Sequence, residues 1–575
     1  MKTHLCLTGL IGFWVLFVGH SFGKPTMTSF CNPLNLNYRF QLDEPSRREA
    51  ADPVIVLFKD QYYLFASKSG GYWISDDLVN WRPIKPVGLP LEDYAPAVIE
   101  IKNKLYFTAF NTGAVFTSDN PAEGSWYKAA EIPQYPDPAL FLDDDGRLYM
   151  YSGCSNNGPI DVQELNAETF ETIGQSIECF RPDFLQRGWE VFGDDNLGGA
   201  MGSEVIYAPW VEGPWMTKHN GIYYLQYAAP GTQWKAYADG VFTSNSPTGP
   251  FQYAEYNPFS YKPSGFIAGA GHSCTFKDKQ GHYWHIATMV ISVNHVFERR
   301  LGLFPVGFTP EVQMFTNTYL ADLPQQIPGA VDRPEQDNLR GWMLLSYHCP
   351  VKASSTIEEF PTQNAVDEEI RTWWSAQTGD AGEWLMIDLE ENCAVNALQI
   401  NFADQNTRIF DNSLKLCHQY LISASDDGNE WREIVDKRNN HQDVPHDYVE
   451  LDRTENARFI RIENVSTPAA GKFALSGLRI FGKANGAAPA PVTQLLAQRD
   501  AHDPRQVKIS WTPASDGIGY VVRYGTAPDR LFHHFQVFDH HEIKINSLNS
   551  AVPYYFTIDV WNKSGLTKGT AISTF

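Results

Sequence analysis

Four residues of this chain open repeated segments and carry side chains that can move protons: Asp52, Asp137, Glu212 and His272. Asp52-Pro53 precedes the apolar run Val54-Ile55-Val56-Leu57-Phe58, and Asp137-Pro138 precedes Ala139-Leu140. Glu212 precedes Gly213-Pro214, and His272 follows Gly269-Ala270-Gly271. Carboxyl groups crowded into one place repel one another, and at least one then keeps its proton at neutral pH. Cleavage of a glycosidic bond needs that pair of states, one acid to protonate the leaving oxygen and one carboxylate to act on the other face of the sugar. A single Asp before a proline is ordinarily a turn cap. Three acids in phase with one repeat are not explained that way.

The repeat itself is a β-hairpin. Val54 to Phe58 reads as a buried strand, Lys59-Asp60-Gln61 as a polar turn and Tyr62 to Ala66 as an aromatic return strand. The pattern recurs as Ala95-Pro96-Ala97-Val98 with Leu105-Tyr106-Phe107, and as Asp137-Pro138-Ala139-Leu140 with Leu148-Tyr149-Met150-Tyr151. It returns as Ala208-Pro209-Trp210-Val211 with Tyr223-Tyr224-Leu225, and as Gly271-His272-Ser273 with Tyr283-Trp284-His285. Five copies that cannot each bury both faces must pack on one another, so the spacing predicts a five-bladed β-propeller. The first strand of each blade lines the axis, so the opening residues face a common funnel. Proline after them fixes φ and gives up a donor that a strand start does not need. Acids from the first and fourth blades would flank the axis from different sides. A gap of roughly 6.5–9.5 Å, wide enough for a water and favouring inversion, is the expectation.

These residues resemble glycoside hydrolase family 43. The resemblance rests on Asp52-Pro53 with Tyr62-Tyr63-Leu64-Phe65, Trp73-Ile74-Ser75-Asp76-Asp77-Leu78-Val79-Asn80-Trp81 and Ala95-Pro96-Ala97-Val98. Asp137-Pro138, Val211-Glu212-Gly213-Pro214 and Gly269-Ala270-Gly271-His272-Ser273 continue it in order. It implies that Asp52 is the general base, Glu212 the general acid, and Asp137 the residue that orients Glu212 and raises its pKa. It implies that His272 ligates a calcium ion or its water shell near the axis, although no cofactor is required, and that Arg299 is a pocket arginine. Arg300 beside it leaves that register open. Trp73, Tyr94 and Trp210 could stack on a sugar, but aromatics also fill propeller cores. Glu204 is the rival for the acid role and lacks the Gly-Pro that follows Glu212. Enzymes that cleave fructans would show Asn before the first Asp-Pro and Glu-Cys at the acid, where this chain has Ala51 and Glu212-Gly213. The implied activity is that of an inverting exo-glycosidase acting on a terminal arabinofuranose, xylose or galactofuranose. An endo-arabinanase with an open cleft is the enzymatic alternative. A non-catalytic carbohydrate-binding propeller is the other, and the presence of all three acids speaks against it.

The propeller is assigned to residues 24–331 and is followed by a polar linker. Residues 341–484, with Arg371-Thr372-Trp373-Trp374-Ser375, the alternating run Trp384 to Leu389 and the closing Leu475-Ser476-Gly477-Leu478-Arg479-Ile480-Phe481, resemble a discoidin-type β-sandwich of the family 32 carbohydrate-binding kind. That resemblance speaks for fold and leaves sugar binding and structural bracing both open, because loops carry recognition. After an Ala/Pro/Gly linker, residues 490–575 resemble a fibronectin type III domain, through Val507 to Trp511, Gly519 to Gly525, Leu548 and Tyr554-Tyr555-Phe556. The fold class is thus all-β, a five-bladed propeller followed by two β-sandwiches.

Composition agrees with this organisation. The chain has 575 residues, too many for one core, and 43 Gly, 36 Pro and 14% aromatics suit a turn-rich β-protein. A formal net charge of −22 argues against nucleic acid or an anionic membrane as partner. A polysaccharide or oligosaccharide is the expected partner, and a monomer the expected state. Lys2, the apolar run Leu5 to Val18 and Ser21-Phe22-Gly23 read as a signal peptide over residues 1–23, hence export to a periplasmic or extracellular location. Of eight cysteines, seven follow that segment. None is spaced as CxxC, which argues against zinc, and one or two disulfides are allowed without a pairing being assignable.

Overall fold

Lys59 and Asp60 alone make the first hairpin turn. Val54–Phe58 and Gln61–Phe65 pair antiparallel up to Phe58 opposite Gln61, and the two turn residues have φ of 48° and 63°. This mirror-image turn matches the twist of the strands it joins. It recurs at Lys102-Asn103 and at Asn220-Gly221, again between the first two strands of a blade. In the computed structural model, which describes residues 27–575 apart from 42, 44, 91, 202, 408 and 410–415, these hairpins grow into five antiparallel sheets. The expected signal segment lies outside the described residues.

Blade 1 adds Tyr72–Ser75 and Arg82–Ile84 to its hairpin. Blade 2 consists of Ala97–Ile101, Lys104–Thr108, Ala114–Ser118 and Tyr127–Glu131, and blade 3 of Ala139–Leu142, Leu148–Ser152, Ile160–Leu165 and Thr172–Phe180. Blade 4 runs Trp210–His219, Ile222–Ala229, Ala238–Ser244 and Gln252–Tyr253, with Ser155–Asn156 and Ser260–Tyr261 added at its margins. Blade 5 runs Ala268–Lys277, Tyr283–Val290, Arg299–Phe308 and Met314–Thr316. The innermost strands neighbour one another in sequence order, and the fifth returns to the first. The ring is a five-bladed propeller.

Its closure uses no borrowed strand, because all four strands of blade 5 are consecutive in the chain. Blades 5 and 1 meet through Ile55 N–H, which points at Cys274 Sγ at 3.2 Å, and Asp52 N–H, which donates to Thr288 Oγ1 at 2.9 Å. Between blades the packing is aromatic. Phe65 and Tyr72, stacked at 4.5 Å within blade 1, meet Trp126 of blade 2 edge-on, and Phe180 of blade 3 stacks on Phe242 of blade 4 at 3.9 Å. Offset and edge-on pairs of this kind add to what their buried area contributes.

The second unit is built on two long strands, Trp384–Phe402 and His446–Ser466, paired with each other and broken by bulges. Ala474–Lys483, Gln419–Ser425 and Arg432–Asp436 complete its main sheet order. Trp374, Leu398, Ile400, Ile460 and Ile480 fill the core. The third unit pairs Thr493–Arg499, Val507–Thr512 and Glu542–Ile545 in one sheet. The other sheet holds His533–Phe538, Gly519–Gly525, Tyr555–Asn562 and Gly565–Thr567, so this unit too is a β-sandwich. Tyr554 OH accepts the N–H of Asn549 at 3.2 Å, tying the strand start to the buried Leu548 region. Both sandwiches lie against the propeller. Arg479 pairs with Glu368 and donates to the Asp322 carbonyl at 2.6 Å, and Asn549 Nδ2 donates to the carbonyls of Glu255 and Asn257. All seven described cysteines are free thiols. Among the described residues no helix is long and apolar enough to cross a membrane.

Candidate active site

One backbone device recurs at the top of every blade. Asp52, Ala95, Asp137, Gly213 and His272 have φ of 53°, 46°, 43°, 58° and 39°, and the first four stand directly before a proline. A residue with a side chain costs about 1–3 kcal/mol in this left-handed region. Four blades accept that cost where the inner strand begins. In blade 4 the left-handed position falls on Gly213, one residue after the acid.

Gly213 is needed there for a second reason. A Cβ at this position would lie 2.6 Å from the imidazole Cγ of His272. Gly213→Ala should therefore push His272 off the cluster and strain the backbone at once. The expected loss is about 1–3 kcal/mol of stability by denaturant unfolding together with most of the activity. A variant as stable and active as the parent would show that the close approach does not matter.

The devices from blades 1, 3, 4 and 5 bring Asp52, Asp137, Glu212 and His272 together. Only 5%, 5%, 8% and 9% of these residues is exposed, so the cluster is almost wholly enclosed and not on an open surface. His272 Nδ1 lies 3.3 Å from Asp52 Oδ1 and 3.6 Å from Asp137 Oδ2. A ligating atom of each of Asp137, Glu212 and His272 lies within 4.8 Å of the other two. Asp137 Oδ2 also accepts Gly213 N–H at 3.3 Å, which fixes the backbone next to Glu212. Arg299 donates from Nη1 to Asp52 Oδ1 at 3.3 Å and from Nη2 to Glu49 Oε1 at 2.8 Å.

These environments drive the acids apart. Burial alone would raise the Asp52 carboxyl, but Arg299, His272 and the Ser67 hydroxyl outweigh it and hold the group below the usual carboxylate range. Burial raises Glu212, with repulsion from Asp52 adding to it and His272 and Tyr237 opposing. Asp137 is pushed up to about 7, first by burial and then by repulsion from Glu212 and Asp52, against His272. His272 is lowered by burial but raised by a larger sum from Asp52, Asp137, Glu212 and Asp239. The cluster therefore favours the ionised form of Asp52 and the protonated form of Glu212, next to a histidine biased towards its cationic form.

The donor set bears on the calcium expectation. Calcium takes six to eight oxygen ligands at 2.3–2.6 Å. Here the group offers two carboxylates and one ring nitrogen, and that nitrogen already stands between the carboxylates of Asp52 and Asp137. These residues do not fit a directly ligated calcium ion.

The other residues singled out from sequence fall into two groups. Arg299 joins the cluster, while Arg300 faces the opposite way. Trp210 is half-buried, and its Nε1–H points at Cys154 Sγ at 3.3 Å. Cys154 is in turn 3.6 Å from Glu212 Oε2. Tyr94 lies at the rim, its ring 5.7 Å from that of Phe297, over which the Arg299 guanidinium sits at 4.7 Å. Trp73 is not among them. It is 2% exposed in the third strand of blade 1, where its Nε1–H is bound to Asn37, so it is core and cannot stack on a sugar. Glu204 is exposed on a separate two-stranded hairpin, Gly199–Met201 with Glu204–Ile206, away from the acids.

Several site residues carried no signal in the repeat. Tyr237 donates to Glu212 Oε1 at 2.5 Å, and the Ser67 hydroxyl donates to Asp52 while accepting Ala95 N–H. Asp239 holds His272 N–H at 2.9 Å and also binds the Ser273 hydroxyl. All three come from second or third strands or the turns between them, and not from the blade openings.

Comparison with known proteins places two matches on the chain. Residues 46–311 match the model described as Glycosyl hydrolases family 43, and residues 350–476 match that of the F5/8 type C domain. The chain is 27% identical over 244 residues to Beta-D-galactofuranosidase xynD of Aspergillus niger, over 35% of this chain and 62% of that protein. It is 28% identical over 271 residues to a Xylosidase/arabinosidase of Butyrivibrio fibrisolvens, over 41% of this chain and 48% of that protein. The chain thus spans about half to three-fifths of the length of these curated relatives. A solved structure described as Glycoside hydrolase aligns with a TM-score of 0.44 and 18% identity, over 78% of this chain and 99% of that one.

Proposed function

We propose that the glycosyl hydrolase family 43 domain carried by residues 46–311 removes a terminal pentose or furanose residue from a polysaccharide or oligosaccharide, with inversion at the anomeric carbon. α-L-Arabinofuranose, β-D-xylose and β-D-galactofuranose are the candidate sugars. Curated relatives of this segment bear the names galactofuranosidase, xylosidase and arabinosidase. The single observation that carries the proposal is the meeting of Asp52, Asp137 and Glu212 from three blades around His272, in surroundings that favour the charged form of Asp52 and the neutral form of Glu212.

Asp52 is the base. It takes a proton from water as the water oxygen bonds to the anomeric carbon. Glu212 is the acid, giving its proton to the glycosidic oxygen, which leaves with the electron pair of the broken C–O bond. Asp137 positions the backbone at Gly213 and helps keep Glu212 protonated. The positive charge of His272 and Arg299 lowers the energy of the ionised base. No step requires a metal. The low exposure of all four residues supports attack at a chain end, since an endo-acting site must admit a polymer from both sides. Residues 1–23 support export, the setting in which such polymers are met. The strand order of the third unit supports a fibronectin type III assignment.

The anomer formed first tests this reading. Proton NMR of fresh hydrolysate from 4-nitrophenyl α-L-arabinofuranoside or β-D-xyloside should show the inverted sugar before mutarotation. A retained anomer would require a covalent sugar on the enzyme and would remove Asp52 from the role of base.

A further inference from the structure

Two pairs of adjacent residues link the cluster to the second unit. Arg48 and Glu49 form a short strand, and Arg299 and Arg300 begin the third strand of blade 5 beside it. Ala50 N–H reaches the Arg299 carbonyl at 3.4 Å, and Arg300 Nη1 donates to the Arg48 carbonyl at 2.9 Å. Successive strand residues face opposite sides. Glu49 and Arg299 therefore face Asp52, while Arg48 and Arg300 face away from it, into the F5/8 type C domain.

There Arg48 is met by two half-buried carboxylates and Arg300 by a buried imidazole. Arg48 Nε donates to Asp404 Oδ2 and Nη1 to Asp443 Oδ2, each at 2.7 Å, and the Arg48 side chain has no exposed surface. Arg300 Nε donates to His446 Nε2 at 2.7 Å. A guanidinium only donates, so this ring nitrogen must be the bare one. The proton then sits on Nδ1, which faces Asn401 Oδ1 at 2.8 Å. Burial and the two arginines hold His446 well below the usual histidine range, so the imidazole stays neutral and able to accept. Removing one partner of such a buried charged group is costly, because the other is left without compensation.

We infer that Asp404, Asp443 and His446 of the second unit are positioning residues for hydrolysis in the propeller. Through Arg48 and Arg300 they fix the two strands that present Glu49 and Arg299, and so keep Arg299 on Asp52. The inference rests on the assignment of Asp52 as base. Asp52 is faced by Arg299, His272, Glu212, Asp137 and Tyr237, with the Ser67 hydroxyl on its carboxylate. Arg299 is tied to the second unit through its strand neighbour Arg300.

The test is the pH profile of kcat/KM on 4-nitrophenyl glycosides with the full chain. In Asp404→Asn and His446→Leu, Arg299 loosens and Asp52 is easier to protonate. The acid limb should move to higher pH by about half a unit, a loss of about threefold at a pH on that limb. His446→Gln, which keeps an acceptor for Arg300, should move it back towards the parent. Where His446→Leu does not fold, Asp443→Asn, whose side chain is 19% exposed, should give a smaller shift of the same sign. A limb that stays at the parent position in the folded variants overturns the inference, whatever happens to kcat or melting temperature. An acid limb that persists in Asp52→Asn instead overturns the base assignment, and the two failures are told apart.

Discussion

Asp52→Asn is expected to lower kcat by about 10²–10⁴-fold on every glycoside the protein cleaves, whatever its leaving group. The substitution is nearly isosteric. Thr288 holds the backbone N–H, which is untouched, and Ser67 can still bind the new side chain. What disappears is the site for the proton of water, and with it one of the two carboxylates that Arg299 binds, Glu49 being the other. Bond breaking to the leaving group does not involve this residue, so good and poor leaving groups should suffer alike. The acid limb of kcat/KM, set by a carboxyl held below its usual range, should vanish. The parent needs this group ionised, so its rate falls as pH drops through the Asp52 pKa. A series of aryl glycosides assayed across pH gives both readings. Unequal losses along the series would move the base role elsewhere.

Glu212→Gln should show the converse. With alkyl glycosides, whose leaving oxygen must be protonated, kcat should fall by about 10²–10⁴-fold. With activated aryl glycosides the fall should be much smaller, because a phenolate leaves without help. The parent needs Glu212 protonated, and burial keeps it so above the usual carboxylate range. Activity should therefore decline at high pH as that proton is lost, and the variant should lack this alkaline limb. The limbs report the cluster as a whole, since groups this close titrate together. Asp137, pushed up to about 7, is the other protonated acid in reach. A uniform loss across leaving groups in Glu212→Gln, with leaving-group dependence appearing in Asp137→Asn, would exchange the two roles.

Much of this was legible in the chain because a propeller repeats its chemistry in phase with its strands. Asp52, Asp137 and His272 each occupy the left-handed position at a blade opening, and Glu212 the position just before it. The Asp-Pro and Gly-Pro pairs betray those positions without coordinates. Trp73 shows where the reasoning fails. An aromatic residue in a blade strand can face either side of it, and Trp73, in the third strand of blade 1, faces the core. Tyr237, Ser67 and Asp239 lie on elements with no fixed offset from the repeat, so only the closed ring reveals that they touch the acids. Cysteine spacing could not decide between thiols and disulfides, because pairing depends on distances across the fold.

The manner in which the circle is completed has a consequence for how the protein comes to work. The four main strands of each blade follow one another in the chain, so the last blade meets the first without lending it a strand. The junction between the last blade and the first carries the base on one bank and the histidine on the other. Five well-formed blades in an open arc would contain every reactive group and still be inert. Chemical competence arises at a single event, the moment the arc shuts.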